Sequence, residues 1–243
     1  MIYAASTGVH NIMIYDTSEL YGERGRFRVL AFADGAVQGA IDLDDPARIV
    51  FEYPRAIIHL MEANNPRFRD VFAIGHGIGT IAGHYADRRF KTAELDGEVA
   101  AVSRRYFGYR GDGVCIGDGR ALLAGEPDDA YDYVIVDAFT ERGVPEQLCS
   151  QPFFRLAAAK LGDEGSIVLN LFGRGGSDPL VCAIHTTLGT QFAFTRAFAL
   201  PRQGAADVRN VILMGSARPI VCQERRMAGF AELALPPGYV IRD

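Results

Sequence analysis

The chain has 243 residues, 49% of them apolar, enough to bury one sizeable core. Its formal net charge is -5 with acids and bases interspersed, so no basic stripe points to nucleic acid and no acidic tail to a solvating segment. Four scattered cysteines without CxxC spacing argue for reduced thiols in a cytoplasmic protein and against a zinc site. No charged leader and no run of ~18 apolar residues points to secretion or a membrane span.

Residues 9 to 41 hold the β-like runs "NIMIYD" and "RFRVLAF", followed by "DGAVQGAIDLDD". Alternating apolar positions and the Asp34-Gly35 pair predict a short antiparallel meander built on a hairpin. From Pro46, "PARIVFEYPRAIIHLMEANNP" has helical spacing, with a break expected at Pro54 and an end at Pro66. Strands and helices then alternate: strand "DVFAIG", helix "GTIAGHYAD", strand "RFKTAEL", helix "GEVAAVSRRYF", strands "GVCIGD" and "YDYVIVDAF", helix "SQPFFRLAAAKL", strand "GSIVLNLF". "PLVCAIHTTLGTQF" reads as a last helix, and "FTRAFAL" and "NVILMGS" as last strands. This alternation predicts an α/β fold with a mostly parallel sheet. The organisation expected is a small N-terminal β unit, residues 1–45, ahead of one main domain, residues 46–243.

Gly75, Gly77 and Gly79 follow an apolar strand and open a helix, where glycine lets the backbone turn tightly and approach a ligand. Glu94 ends the next strand, where a carboxylate can accept both hydroxyls of a ribose. Asp118, followed by Gly119, and Asp137 end the two strands after it. Open α/β sheets bind ligands at the carboxyl ends of their strands, so these residues are expected to converge on one crevice. A dinucleotide fingerprint would place glycine at position 80, which is Thr80, and nothing marks a second nucleotide half. A nucleoside sulfonium fits better than NAD.

In this order the motifs resemble the spermidine synthases, the polyamine aminopropyltransferases, over about residues 10 to 155. "FADGAVQ" is similar to their D-G-x-x-Q hairpin, "GHGIGT" to G-G-G-D-G-G, "AELD" to V-E-I-D and "IGDGRAL" to G-D-G/A. "YDYVIVDAFTERGVPEQLCSQPFF" is similar to Y-D-x-I-I-x-D-x-x-D-P followed by L-x-S-x-x-F. The resemblance implies a Rossmann-like, AdoMet-dependent methyltransferase-type sheet behind a small β-hairpin domain. It also implies decarboxylated S-adenosylmethionine or S-adenosylmethionine as co-substrate, a small-molecule amine such as putrescine as acceptor, no metal, and a homodimer as candidate assembly. Glu94 would then hold ribose, Asp118 and Gly119 adenine, Tyr53 would line the amine pocket, and Asp137 would orient and deprotonate the attacking amine.

The departures fall on the residues that choose the substrate. Ile78 stands where the family has the aspartate that grips the donor's amine, and Thr140 stands at the second aspartate of D-x-x-D, with Glu141 beside it as a substitute acid. Pro54 and Arg55 follow the pocket tyrosine in place of a polar residue and an acid, and Val9-His10 stand where the family has Tyr-Gln. Three readings stay open: aminopropyl transfer with a reshaped pocket, methyl or aminocarboxypropyl transfer from S-adenosylmethionine, and nucleoside binding without catalysis.

Among other residues, His76 and His84 are expected to cap or face solvent, and His59 to be a hydrogen-bonded, partly buried group. Phe153 and Phe154 read as core. Asp42, Asp44 and Asp45 read as a turn and helix cap rather than a metal site.

Overall fold

The computed structural model describes residues 1–32, 35–139, 143–174, 178–201 and 208–243. The strands β1 (Tyr3–Ser6), β2 (Asn11–Leu20), β3 (Glu23–Phe32) and β4 (Val37–Asp42) form an antiparallel meander in that spatial order, one strand larger than the sequence suggested. Tyr21 and Gly22, both at positive φ, make the two-residue turn between β2 and β3, a geometry that matches the natural twist of a hairpin. Side chains alternate across the meander. Ile12, Ile14 and Leu30 face one way, and Leu20, Phe27, Val29 and Ala31 the other.

The second sheet contains β5 (Asp70–Ile74), β6 (Arg89–Glu94), β7 (Val114–Ile116), β8 (Tyr131–Val136), β9 (Leu161–Gly173), β10 (Phe194–Ala199), β11 (Arg209–Ser216) and β12 (Ala231–Glu232). Their spatial order is β12-β10-β11-β9-β8-β5-β6-β7. The run β9-β8-β5-β6-β7 is parallel, and β11, β10 and β12 join it through antiparallel pairings. Strands β5 and β8 are continuous apolar runs rather than alternating ones because both faces of this sheet are covered. One face packs on Phe153, Phe154 and Ala157 of α5 (Gln151–Lys160) and on Val181, Ile184 and Leu188 of α6 (Pro179–Leu188). The other packs on Ala56 to Met61 of α1 (Glu52–Asn64), with Phe68 and Tyr85.

Pro54 does not break α1. It lies in the first turn, where a backbone N–H has no helical partner to lose. The helix α2 (Thr80–His84) is a five-residue turn, and α3 (Gly97–Phe107) is capped by Asp96 and stopped by Gly108 in the left-handed region. A short helix, α4 (Gly119–Ala124), follows β7 and was not foreseen. The chain runs outward from β5 to β6 and β7, then crosses back to β8 on the other side of β5. The strand order therefore reverses between β5 and β8, and a crevice opens at their carboxyl ends. No described helix is long and apolar enough to cross a membrane, and no disulfide joins cysteines among the described residues.

Candidate active site

At the reversal point β5 ends and Gly75 takes φ +96°, and a Cβ there would run into the carbonyl oxygen of Asp137. Only glycine lets the two strand tips lie this close. Gly79, at φ +80°, starts α2 with the ring of Tyr109 against its Cα, and Gly119 lets α4 press directly on Ile74.

Glu94, the last residue of β6, is buried. Its Oε2 accepts the His76 N–H at 3.0 Å and its Oε1 the Asp96 N–H at 2.9 Å, so the carboxylate ties the glycine turn to the start of α3. Burial pushes its pKa up, opposed by the Asp96 and His76 amides. A carboxylate has about four acceptor positions, so two remain for a pair of vicinal hydroxyls. Asp118 is exposed and caps α4, accepting the Ala121 N–H at 2.8 Å.

Asp137 is the first residue beyond β8. The side-chain amide of Asn170 donates to its Oδ1 at 2.9 Å, and the Tyr53 hydroxyl stands beside the same carboxylate. Burial raises the carboxyl's pKa, and these two donors oppose the rise. Tyr53 is held well above its ordinary pKa, first by burial and then by the Asp137 charge, so it stays a hydroxyl donor. Asn170 is itself oriented: its side-chain oxygen accepts from Asn210 Nδ2 at 2.9 Å, which turns its NH₂ toward Asp137.

Every described candidate, Tyr53, Gly75, Gly77, Gly79, Glu94, Asp118, Gly119 and Asp137, lines one cavity of about 1170 Å³. Glu141 and Thr140 lie outside the described residues. Along the carboxyl edge the order is Asp137 after β8, Gly75 after β5, Glu94 on β6 and Asp118 after β7. Three strand spacings separate the ends of this row, roughly 14 Å, the scale of a nucleoside with its side chain.

Other expectations fare unevenly. Ile78 lines the cavity but is only 6% exposed, because it packs with Ile12, Ile14 and Leu30 of the meander and Val99, Val102 and Phe107 of α3. A Cβ on Gly39 would lie 2.8 Å from it, so Ile78 is the bolt between the two sheets. His76 neither caps nor faces solvent. It is buried, with Nε2 2.8 Å from Ser103 Oγ, and Ser103 spends its hydroxyl proton on the Ala100 carbonyl. Nε2 is therefore the protonated nitrogen, and burial pushes the imidazole pKa down to about 4. His84 is exposed, and His59 is buried and accepts the Gln223 N–H at 2.9 Å. Asp42 closes a turn on Asp44 and Asp45 and pairs with Arg48, but caps no helix. No group that could hold a metal occurs among the described residues.

The sequence reading missed Asn170 and Asn210. Their signal was present: an asparagine inside the apolar run "SIVLNLF" is a polar group in a buried strand, and such a group needs a partner. His10, which the sequence placed at a family motif position, lines the cavity, stacks on Phe32 at 4.0 Å and reaches Asp96 at 3.3 Å. Chemically, the site sets a buried carboxylate with free lone pairs, Glu94, at one end and a part-buried carboxylate oriented by Asn170, Asp137, at the other.

The family model for the spermine/spermidine synthase domain matches residues 50–195. The spermidine synthase of Coffea arabica is 29% identical over 178 residues, covering 69% of this chain and 52% of that protein. Putrescine N-methyltransferase 2 of Nicotiana attenuata is 26% identical over 178 residues, covering 69% and 44%. This chain thus spans about half the length of the curated relatives it matches. The crystal structure of a probable spermidine synthase from Corynebacterium glutamicum shares the fold with a TM-score of 0.80 at 21% identity, covering 91% of this chain and 82% of that one.

Proposed function

Because the chain belongs to the spermine/spermidine synthase domain family, we propose that it is a transferase that moves an aminopropyl group from decarboxylated S-adenosylmethionine to a primary amine. The observation that carries the reading is the Tyr53–Asp137–Asn170 cluster, set at the strand reversal in the same cavity as Glu94 and Asp118. In this reading Glu94 accepts the ribose hydroxyls with its remaining lone pairs, Asp118 and Gly119 border the adenine, and the Gly75–Gly77–Gly79 turn gives the donor the room that side chains would fill. The donor supplies its own electrophile, a carbon beside a positively charged sulfur.

The protein's part is to deliver nitrogen with a free lone pair. Aliphatic amines are mostly protonated at neutral pH. Asp137, held as a carboxylate by Asn170 and Tyr53 but made more basic by burial, accepts the proton that nitrogen must shed. A C–N bond forms, the C–S bond breaks, its electron pair returns to sulfur, and methylthioadenosine leaves. Glu141 is the candidate second acid for the amine. Residues 1–45 and 46–243 serve as wall and catalytic unit in a cytoplasmic and metal-independent enzyme, with a homodimer as its candidate assembly.

The test is methylthioadenosine release from decarboxylated S-adenosylmethionine with putrescine and other primary amines, alongside calorimetry of nucleoside binding. Failure of S-adenosylmethionine, its decarboxylated form and methylthioadenosine all to bind would refute the reading. A second reading, methyl or aminocarboxypropyl transfer from S-adenosylmethionine itself, is favoured by Ile78, which offers no charge to a donor ammonium and none to repel a carboxylate. Amine-dependent release of S-adenosylhomocysteine would select methyl transfer. Binding without turnover of any amine would leave a non-catalytic nucleoside binder.

A further inference from the structure

We infer that Asp243 is a positioning residue for the nucleobase: by holding Arg120 it keeps Asp118 free to accept the amino group of adenine and fixes the slot the base enters. The inference rests on the reading above, in which Asp118 and Gly119 border the adenine. Two walls of the cavity are tied together at this end. One is the start of α4, with Gly117, Asp118 and Gly119, and the other is the single turn that carries Pro145, Gln147 and Leu148. Arg120, the second residue of α4, joins them. Its guanidinium donates to the Gln147 carbonyl at 3.1 Å and, two-pronged, to the Asp243 carboxylate, at 2.9 Å to Oδ1 and 2.5 Å to Oδ2. The Ser150 hydroxyl, at the N-cap of α5, donates to the same carboxylate. Arg120 and Ser150 together pull the Asp243 pKa down to about 2, so it is an anion at neutral pH.

Residues 233–243 reach this point as a strap along α6. The Leu233 N–H donates to the Ala197 carbonyl, the Gly238 N–H to Thr186 Oγ1 at 2.8 Å and the Ile241 N–H to Thr187 Oγ1 at 2.9 Å, and the Ile241 carbonyl accepts the Gln151 N–H at 2.8 Å. Gly238 lies so close to α6 that a Cβ would fall 2.5 Å from the Ala183 nitrogen. The strap thus brings a fixed carboxylate to a long, flexible side chain. The competing partner for Arg120 is Asp118, two residues earlier, whose charge already acts on it. Asp118 spends one oxygen on the Ala121 N–H. A released Arg120 would turn toward the other oxygen, the one an adenine amino group needs, and let go of Gln147. A guanidinium fork binds best to two oxygens in its own plane, and Asp243 supplies them.

Calorimetry of methylthioadenosine and of methylthioinosine, which carries oxygen in place of the amino group, tests this on the parent, Asp243→Asn, Arg120→Ala and the double variant. Asparagine keeps the shape of the side chain and can still accept from Ser150, so the fold holds. The parent should prefer methylthioadenosine by at least about tenfold. Asp243→Asn should weaken methylthioadenosine at least about fivefold and methylthioinosine less than about twofold. In the Arg120→Ala background the same substitution should change neither affinity. No base preference in the parent, equal weakening of both nucleosides, unchanged affinities in Asp243→Asn, or the full effect without Arg120 would overturn the inference alone. Failure of methylthioadenosine to bind would overturn the underlying reading and the inference with it.

Discussion

The two ends of the crevice are built differently. At the β5–β6–β7 end the donors and acceptors come from one stretch, residues 75 to 119, and each carboxylate is already engaged by nearby backbone: Glu94 by the His76 and Asp96 amides, Asp118 by Ala121. At the β8–β9 end the cluster is assembled from residues 53, 137, 170 and 210, and side chains satisfy side chains. The first construction is a series of local turns that hold their shape through caps and glycines. The second exists only when distant strands and a helix have come together. On the proposed function, a site of this kind can keep its nucleoside end while its acceptor end changes, because separate parts of the chain make the two.

Substitutions should separate the ends, beginning with the largest effect. Asp137→Asn removes the proton acceptor and should lower kcat/KM by at least about 100-fold while nucleoside affinity by calorimetry stays within threefold. A parallel loss of nucleoside binding would show that the ends are not independent. Glu94→Ala should do the reverse, weakening nucleoside binding by about 1.5 to 3 kcal/mol as for hydrogen bonds to a charged group, and unchanged affinity would mean the ribose is held elsewhere.

The buried His76 beneath the glycine turn gives a pH signature to the nucleoside end. Its folded pKa, about 4, lies below the unfolded value of 6.5, so between these values the unfolded chain binds the proton and the folded one does not. Its contribution to stability is complete above about pH 6.5 and is lost as pH falls toward 4. Between pH 7 and 4.5, urea unfolding of the parent should lose about 2 to 3 kcal/mol more than that of His76→Gln. Equal losses would place the imidazole in contact with water.

The smallest effect belongs to Asn170→Ser. Losing a donor to the carboxylate raises the Asp137 pKa, so the acid limb of the pH–kcat/KM profile should move to higher pH by about one unit, with a few-fold loss at neutral pH. A lowered rate with an unmoved limb would mean Asn170 only supports the fold.

The same division governs what the sequence disclosed. Strands β5, β6 and β8, helices α3, α5 and α6, and the acids at the strand tips were legible because their signals are local: an apolar run, a glycine turn, an acid at the tip. Pro54 misled because a proline in a first turn and a proline that breaks a helix look alike until the N-terminus of the helix is known. The six residues of α4 are too few for a periodicity to show, and β1 is a short edge strand whose partner lies across a turn. Tyr53 and Asp137 could be named from motif resemblance, but Asn170 and Asn210 become a pair only through the β9–β11 pairing. That pairing is a tertiary fact.

Ile78 and Gly39 are joined across the seam between the sheets, and on the proposed reading this contact would tie donor choice to assembly of the molecule. An aspartate at 78 would enter a greasy joint, so a lineage gaining or losing charge there must rebuild the neighbouring hairpin at the same time.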